Sequence, residues 1–181
     1  MVHYRRNRLP GGTYFFTVTL ADRQSHALIE NIEHLRAAFR RVMTERPFEI
    51  VAMVVLPEHL HAIWKLPPGD ADYSGRWRAI KAGFTRDLIN AGLNLTRNAK
   101  GEYDLWQRRF WEHTVRDDHD LVRHVDYIHY NPVKHGLVPR VAAWPHSSFH
   151  RYVRQGMLPE DWTGEADDAV KAIYGEPDLA S

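Results

Sequence analysis

Two apolar runs separated by only two residues set the strongest limit on the fold. Phe48 to Leu56 and His59 to Leu66 are rich in β-branched and other apolar side chains, and only Pro57 and Glu58 lie between them. A parallel crossover needs on the order of a dozen residues, so strands joined this closely run antiparallel as a hairpin. The first run is continuously apolar and reads as a central strand. The second carries His59 and His61, which stand two apart and therefore leave an extended strand by the same face. Two imidazoles on one face can present nitrogens to one ion, although paired strand histidines also serve as packing residues.

The rest of the chain supplies what this hairpin packs against. From Thr13 to Leu20, the residues Tyr14, Phe16, Val18 and Leu20 alternate with Phe15, Thr17 and Thr19, the period of a strand. Asn31 is placed to cap a helix whose Ile32, Leu35, Phe39, Val42 and Met43 recur at helical spacing before Pro47. Ser74 is placed to cap a second helix with the stripe Trp77, Ile80, Phe84 and Leu88, and Gly92 to Gly101 reads as a loop. Phe110 to Val115 predicts a fourth strand. Asp117 then begins a last helix that Pro132 should end near Tyr130. Strand, helix, strand, strand, helix, strand is the order of the ferredoxin-like split βαβ unit. The class is therefore α+β with an antiparallel sheet, here with an additional helix.

The 181 residues suffice for one domain with a substantial core, and the absence of cysteine excludes disulfides, thiolate metal sites and cysteine nucleophiles. No run approaches a membrane span and the first residues lack the apolar core of a signal peptide, so a soluble cytoplasmic protein is expected. Charge is unevenly placed. Residues 159–181 hold seven acidic side chains against one basic, which leaves a net +7 on residues 1–158 of a chain whose total is +1. We therefore expect one domain over 1–158, including a flexible basic arm at 1–12 with Arg5, Arg6 and Arg8, and an acidic tail over 159–181. A basic body suits a polyanionic partner; a solvated surface of mixed charge looks similar in sequence. Arg76, Arg78, Lys81 and Arg86, beside the stripe of the second helix, carry the same two readings.

The last helix has two stripes. Leu121, Val125 and Ile128 suit contact with the sheet, while His124, Tyr127 and Asn131 form a second line about one residue's rotation away. If that second line covers the strand bearing His59 and His61, two imidazoles, an amide oxygen and a phenol share one site. Such a set can hold a divalent cation beside a nucleophile. A phenol of pKa near 10 is ionised to only about one part in a thousand at neutral pH, so it needs an activated electrophile, which a metal on a phosphate provides. A surface aromatic is the other reading of Tyr127. His113 and His124 stay open between structural and proton-handling roles.

Three stretches together resemble the REP-associated tyrosine transposases, a branch of the single-tyrosine HUH transposases. They are LPEHLHAIWKLP at 56–67, WQRRFWEHTVRDDHDL at 106–121 and YIHYNPVKHGLV at 127–138, supported by PGGTYFFTV near the start, RWRAIKAGFTR in the second helix and WPHSSFHRY at 144–152. The resemblance implies the HUH endonuclease fold, with His59, His61 and Asn131 as ligands of Mg²⁺ or Mn²⁺ and Tyr127 as nucleophile. Tyr130 adjoins the motif but lies roughly 300° around the helix. It further implies cleavage and rejoining of single-stranded DNA that folds as hairpins, through a 5′-phosphotyrosine link, by a nucleoid-associated protein acting as a monomer. Candidate phosphate contacts are Arg5, Arg6, Arg8, Lys81, Arg108 and Arg109, with Trp106 and Phe110 as stacking platforms or core residues. The alternative is a domesticated protein that binds hairpin DNA without cutting it.

Overall fold

The computed structural model describes residues 7–164. Arg5, Arg6 and the acidic tail from residue 165 onward lie outside the described residues. The elements are β1 (Thr13–Thr19), α1 (Ala27–Glu30), α2 (Ile32–Glu45), β2 (Glu49–Val55), β3 (His59–Lys65), α3 (Tyr73–Asn90), β4 (Trp111–Thr114) and α4 (Asp118–Lys134), then a 3₁₀ turn at Val141–Ala143 and α5 (Phe149–Arg154). The four strands form an antiparallel sheet in the order β2-β3-β1-β4, which is the split βαβ arrangement. The hairpin of β2 and β3 closes where Leu56 N–H donates to the His59 carbonyl at 2.8 Å.

Strand alternation divides the interior into two cores. Tyr14, Phe16, Val18, Leu60, Ala62 and Trp64 face α2 and α3, where Trp64 stacks on Trp77 at 4.1 Å between ring centroids. Phe15, Val54 and Ile63 face the other way, against Val125 and Ile128 of α4. Both faces of the sheet are thus covered. Among the described residues no helix is long and apolar enough to cross a membrane.

Four local expectations are corrected. The β2 strand is an edge strand, not a central one; its apolar run reflects burial on both faces, and its outer edge is closed by the segment leading into α5. Val55 N–H donates to the His146 carbonyl at 2.9 Å and Ser148 N–H to the Met53 carbonyl at 2.8 Å. Trp144 Nε1 also donates to Val55 O at 2.9 Å, and the Tyr152 hydroxyl to Val51 O at 3.0 Å. An edge so occupied is no template for another chain. Asn31 does not cap α2 with its side chain, which donates instead to the Ala27 carbonyl at 3.0 Å, because α1 ends at that point. At α3 the cap is Asp72, accepting from Gly75 N–H at 2.8 Å, rather than Ser74.

The fourth correction matters most for function: α4 runs past Pro132 to Lys134. Pro132 has no N–H to give the Ile128 carbonyl, yet the helix carries it within its last turn, and the termination is set by Gly136 at φ 67°. Gly136 N–H donates to Val133 O and Leu137 N–H to Pro132 O, each at 2.9 Å, satisfying the last carbonyls. Asn131 therefore stays helical, one turn beyond Tyr127. The expected cap at the other end is present, with Asp117 accepting from Asp120 N–H at 2.8 Å.

The C-terminal segment ties the β2 edge to α4 through one hydroxyl. Ser148 Oγ accepts from Met53 N–H at 2.9 Å and hydrogen-bonds His129 Nε2 at 2.9 Å. Burial, with Arg151 and His150 nearby, pushes the His129 pKa down to about 3, so the ring is neutral at physiological pH. Ser148→Ala should destabilise the protein by about 1–3 kcal/mol, because it strands two polar groups that the fold has taken from water. Urea unfolding that shows an unchanged midpoint would contradict this role.

Candidate active site

His59, His61 and Ile63 leave β3 on the face that carries α4. Both histidines are buried, at 2% and 0% exposure, with ring centroids 4.9 Å apart. They lie between sheet and helix rather than in the larger core. Each ring is held by its Nδ1. His59 Nδ1 donates to Glu58 Oε1 at 2.8 Å, since a carboxylate only accepts, and this tautomer puts the lone pair on Nε2. That Nε2 is buried and has no hydrogen-bond partner. His61 Nδ1 is 2.9 Å from Thr17 Oγ1 on the neighbouring strand, which turns its Nε2 away from Thr17. Glu58 is itself well set for this task. Burial opposes its charge, but the hydrogen bond with His59, together with the guanidinium of Arg23 3.6 Å away, outweighs that and lowers its pKa. A carboxylate behind a histidine fixes ring orientation and raises basicity at the far nitrogen.

The α4 helix lies along this pair. Tyr127 sits against His61, with ring centroids 5.2 Å apart, and His135 sits against His59 at 5.2 Å. Asn131 is four residues from each, so one helical turn separates it from both contacts, and it is fully buried. The amide is thereby bracketed by the two histidine contacts. Two imidazoles oriented by their Nδ1 atoms and a buried carboxamide form a donor set suited to a divalent cation, and the vacant Nε2 of His59 fits that use. Lys134 adds a group at the phenol: Nζ donates to Tyr127 Oη at 3.3 Å and lies 4.8 Å from the ring centroid.

Glu58, Lys134 and His135 were not among the residues expected from sequence. Glu58 directly precedes His59, and strand periodicity gave no reason to single it out. Lys134 and His135 follow Tyr127 by seven and eight residues, which continues the helical stripe; reading Pro132 as the helix end hides them. Tyr130 lies on another side of α4, where a cavity of about 860 Å³ is lined by Tyr130, Arg140, Asp161 and Trp162.

A second polar cluster fastens the start of α4 to β4. Asp120 Oδ2 accepts from His113 Nε2 at 2.9 Å and from Arg116 N–H at 3.0 Å, while Asp120 Oδ1 lies 3.3 Å from His124 Nδ1. The donor atoms of His113, Asp120 and His124 are close enough together to hold a metal ion. The rings of His113 and His124, however, stack at 4.8 Å with planes only 14° apart. Imidazole lone pairs lie in the ring plane, so two nearly parallel rings do not aim at a common point. The arrangement is that of a clamp. His124 also packs on Phe15, which touches both His61 and Tyr127. Burial lowers the pKa of His124 despite its hydrogen bond to the Asp120 carbonyl.

The candidate DNA contacts divide clearly. Arg8, Arg108 and Arg109 are exposed. Lys81 is turned to its own chain, donating to the Gln107 carbonyl at 2.9 Å over the rings of Trp106 and Phe110. Trp106 and Phe110 pack against the larger core, as the second of their two readings held. Arg76 is 2% exposed and bonds Asp70 at 2.6 Å and the carbonyls of Arg46 and Pro47. It joins α3 to the loops before β2 and before α3 itself, so this guanidinium serves the fold rather than a phosphate of DNA.

Comparison with known proteins places these residues in context. Residues 12–131 match the family described as "Transposase IS200 like". A REP-associated tyrosine transposase of Escherichia coli (strain K12) is 50% identical over 168 residues, covering 93% of this chain and 94% of that protein. A solved structure of a REP-associated tyrosine transposase bound to a REP hairpin superposes with a TM-score of 0.81 at 50% identity, covering 91% of this chain and 93% of that one.

The clamp has a defined pH signature. Burial opposes ionisation of Asp120, but the hydrogen bonds from His113 and the Arg116 amide, together with the charges of His124 and His113, prevail and bring its pKa to about 2 from 3.8. A carboxyl depressed by folding stabilises the fold fully above its unfolded pKa, and that stabilisation is lost as pH falls from about 4 through 2. Asp120→Asn should therefore cost about 2 kcal/mol at pH 7, with the gap to the unsubstituted protein closing as pH approaches 2. Unfolding free energies whose difference is the same at pH 7 and pH 2.5 would rule the ionised carboxylate out as its source.

Proposed function

The chain belongs to the IS200-like transposase family, among the REP-associated tyrosine transposases, and from that premise we propose that Tyr127 cleaves and rejoins hairpin-forming single-stranded DNA. The proposed substrate class follows from the relative bound to a REP hairpin. The observation that carries the chemistry is the placement of the Tyr127 ring 5.2 Å from His61, beside a His59 whose buried Nε2 has no partner.

His59, His61 and Asn131 would hold a divalent cation, Mg²⁺ or Mn²⁺, which when bound to a phosphate neutralises charge and makes the phosphorus more electrophilic. Glu58 and Thr17 keep the two imidazoles facing the site. The α4 helix sets the direction from which the phenol approaches. Tyr127 Oη attacks the phosphorus, the bond to the 3′ oxygen breaks, and the products are a 5′-phosphotyrosine link and a free 3′-hydroxyl. Attack by a 3′-hydroxyl on that link reverses the step and reseals the strand, conserving the phosphodiester bond energy. Exposed Arg8, Arg108 and Arg109 are assigned to phosphate contacts along the stem. The protein is assigned to act as a monomer on chromosomal DNA in the cytoplasm.

Two imidazole nitrogens favour Mn²⁺ over Mg²⁺, which prefers an all-oxygen shell. Incubation with 5′- and 3′-labelled hairpin DNA should give a covalent adduct in denaturing gels, at lower Mn²⁺ than Mg²⁺ concentration, and none with chelator. Tyr127→Phe should abolish the adduct and leave hairpin binding within about twofold, since only a hydroxyl is removed; His59→Ala should reduce cleavage by at least about 100-fold. Cleavage without adduct points to water as the nucleophile, and binding without cleavage points to a domesticated hairpin-binding protein.

A further inference from the structure

Attack by a phenol leaves a chemical demand that the two histidines and the amide do not meet. As Tyr127 Oη gives up its proton, negative charge develops on that oxygen before it is shared with phosphorus. In the reverse direction the same oxygen must depart as a phenolate. A cation held by His59, His61 and Asn131 would act at phosphorus; charge on the phenol oxygen needs a donor of its own.

We propose that Lys134 is a catalytic residue that serves the nucleophile, donating a charge-assisted hydrogen bond to Tyr127 Oη throughout cleavage and rejoining. This rests on the assignment of Tyr127 as nucleophile above. The geometry is direct. Lys134 Nζ is 3.3 Å from Tyr127 Oη, and its ammonium lies 4.8 Å from the ring centroid, so the lysine folds back along α4 against the tyrosine. Seven residues on an α-helix return to nearly the same face, which puts both side chains on the line that faces β3. Continuation of α4 through Pro132 makes this placement, since a helix ending at Tyr130 would not carry Lys134 on that line. The last-turn position also suits a positive charge, which interacts favourably with the helix C-terminus.

Lys134 remains protonated in this scheme and transfers nothing. In cleavage the phenol proton leaves to water, the Oη–P bond forms and the P–O3′ bond breaks, with its electron pair and a proton ending on the 3′ oxygen. In rejoining, a 3′-hydroxyl loses its proton to water as its oxygen bonds to phosphorus, the P–Oη bond breaks with its electron pair on Oη, and the ammonium stabilises the departing phenolate until it takes a proton from water. The contribution is therefore shared by both directions. A mere phosphate-contacting lysine would instead act on DNA affinity.

The test compares Lys134→Ala, Lys134→Arg and Tyr127→Phe under single-turnover conditions, with hairpin affinity measured separately. Lys134→Ala should slow adduct formation by about 100-fold, comparable with loss of one preorganised donor at a developing oxyanion, while its Kd for the hairpin changes less than about threefold. Lys134→Arg should restore the rate to within about tenfold of the unsubstituted protein, and added ethylammonium should accelerate Lys134→Ala but not Tyr127→Phe. A Lys134→Ala protein that cuts at the unsubstituted rate overturns the proposal. So does a rate loss matched by an equal loss of hairpin affinity, or one that neither arginine nor ethylammonium repairs. An adduct that persists in Tyr127→Phe would instead overturn the assignment of the nucleophile.

Discussion

The period of two in β3 is the constraint on which the site depends. Leu60, Ala62 and Trp64 enter the larger core, and His59, His61 and Ile63 consequently face α4. A slip of one residue in the hairpin would exchange these sets. It would take Leu60 and Trp64 out of the larger core, at roughly 2 kcal/mol or more each, and drive two imidazoles into it without partners. Packing of Trp64 against Trp77 and Phe48 is thus what orients the histidines, although none of these rings belongs to the site.

The second requirement is a fixed position for α4 along β3, and the helix is restrained along its length by polar contacts. At its start Asp120 joins His113 and His124; near its middle His129 meets Ser148, which is in turn bonded to β2. At its end Gly136 and Leu137 close the last carbonyls. Between these restraints, Tyr127 and His135 meet His61 and His59, and Asn131 lies midway. Phe15 fills the space beneath, in contact with His61, His124 and Tyr127, so that the clamp and the candidate site rest on one ring.

Much of this was legible because the relevant periodicities are strong. Alternation from Tyr14 to Leu20 separates the two cores, the two-residue link at Pro57 and Glu58 dictates the hairpin, and the line from His124 through Tyr127 to Asn131 marks the working side of α4. What was not legible depends on long-range partners. The β2 run reads as central because burial on both faces looks the same whether the edge is covered by a strand or by Trp144, Ser148 and Tyr152. Asp72 displaces Ser74 as a cap through the path of the preceding loop, which residue preferences alone do not specify. Arg76 looks like a surface base until Asp70 and the carbonyls of Arg46 and Pro47 are brought around it. Pro132 looks like a helix end in sequence, but α4 holds it in its last turn and stops only before Gly136, which extends the line of Tyr127 to Lys134 and His135.

If His59, His61 and Asn131 are the cation site proposed to face Tyr127, then the cluster of His113, Asp120 and His124 acts as a clamp and takes no ion. X-ray diffraction from crystals soaked in Mn²⁺, with data collected at the manganese absorption edge, tests both halves at once. A single anomalous peak is expected, bound by Nε2 of His59, Nε2 of His61 and Oδ1 of Asn131, on the side to which the Tyr127 hydroxyl turns. A peak at His113, Asp120 and His124 with none between the β3 histidines would contradict it.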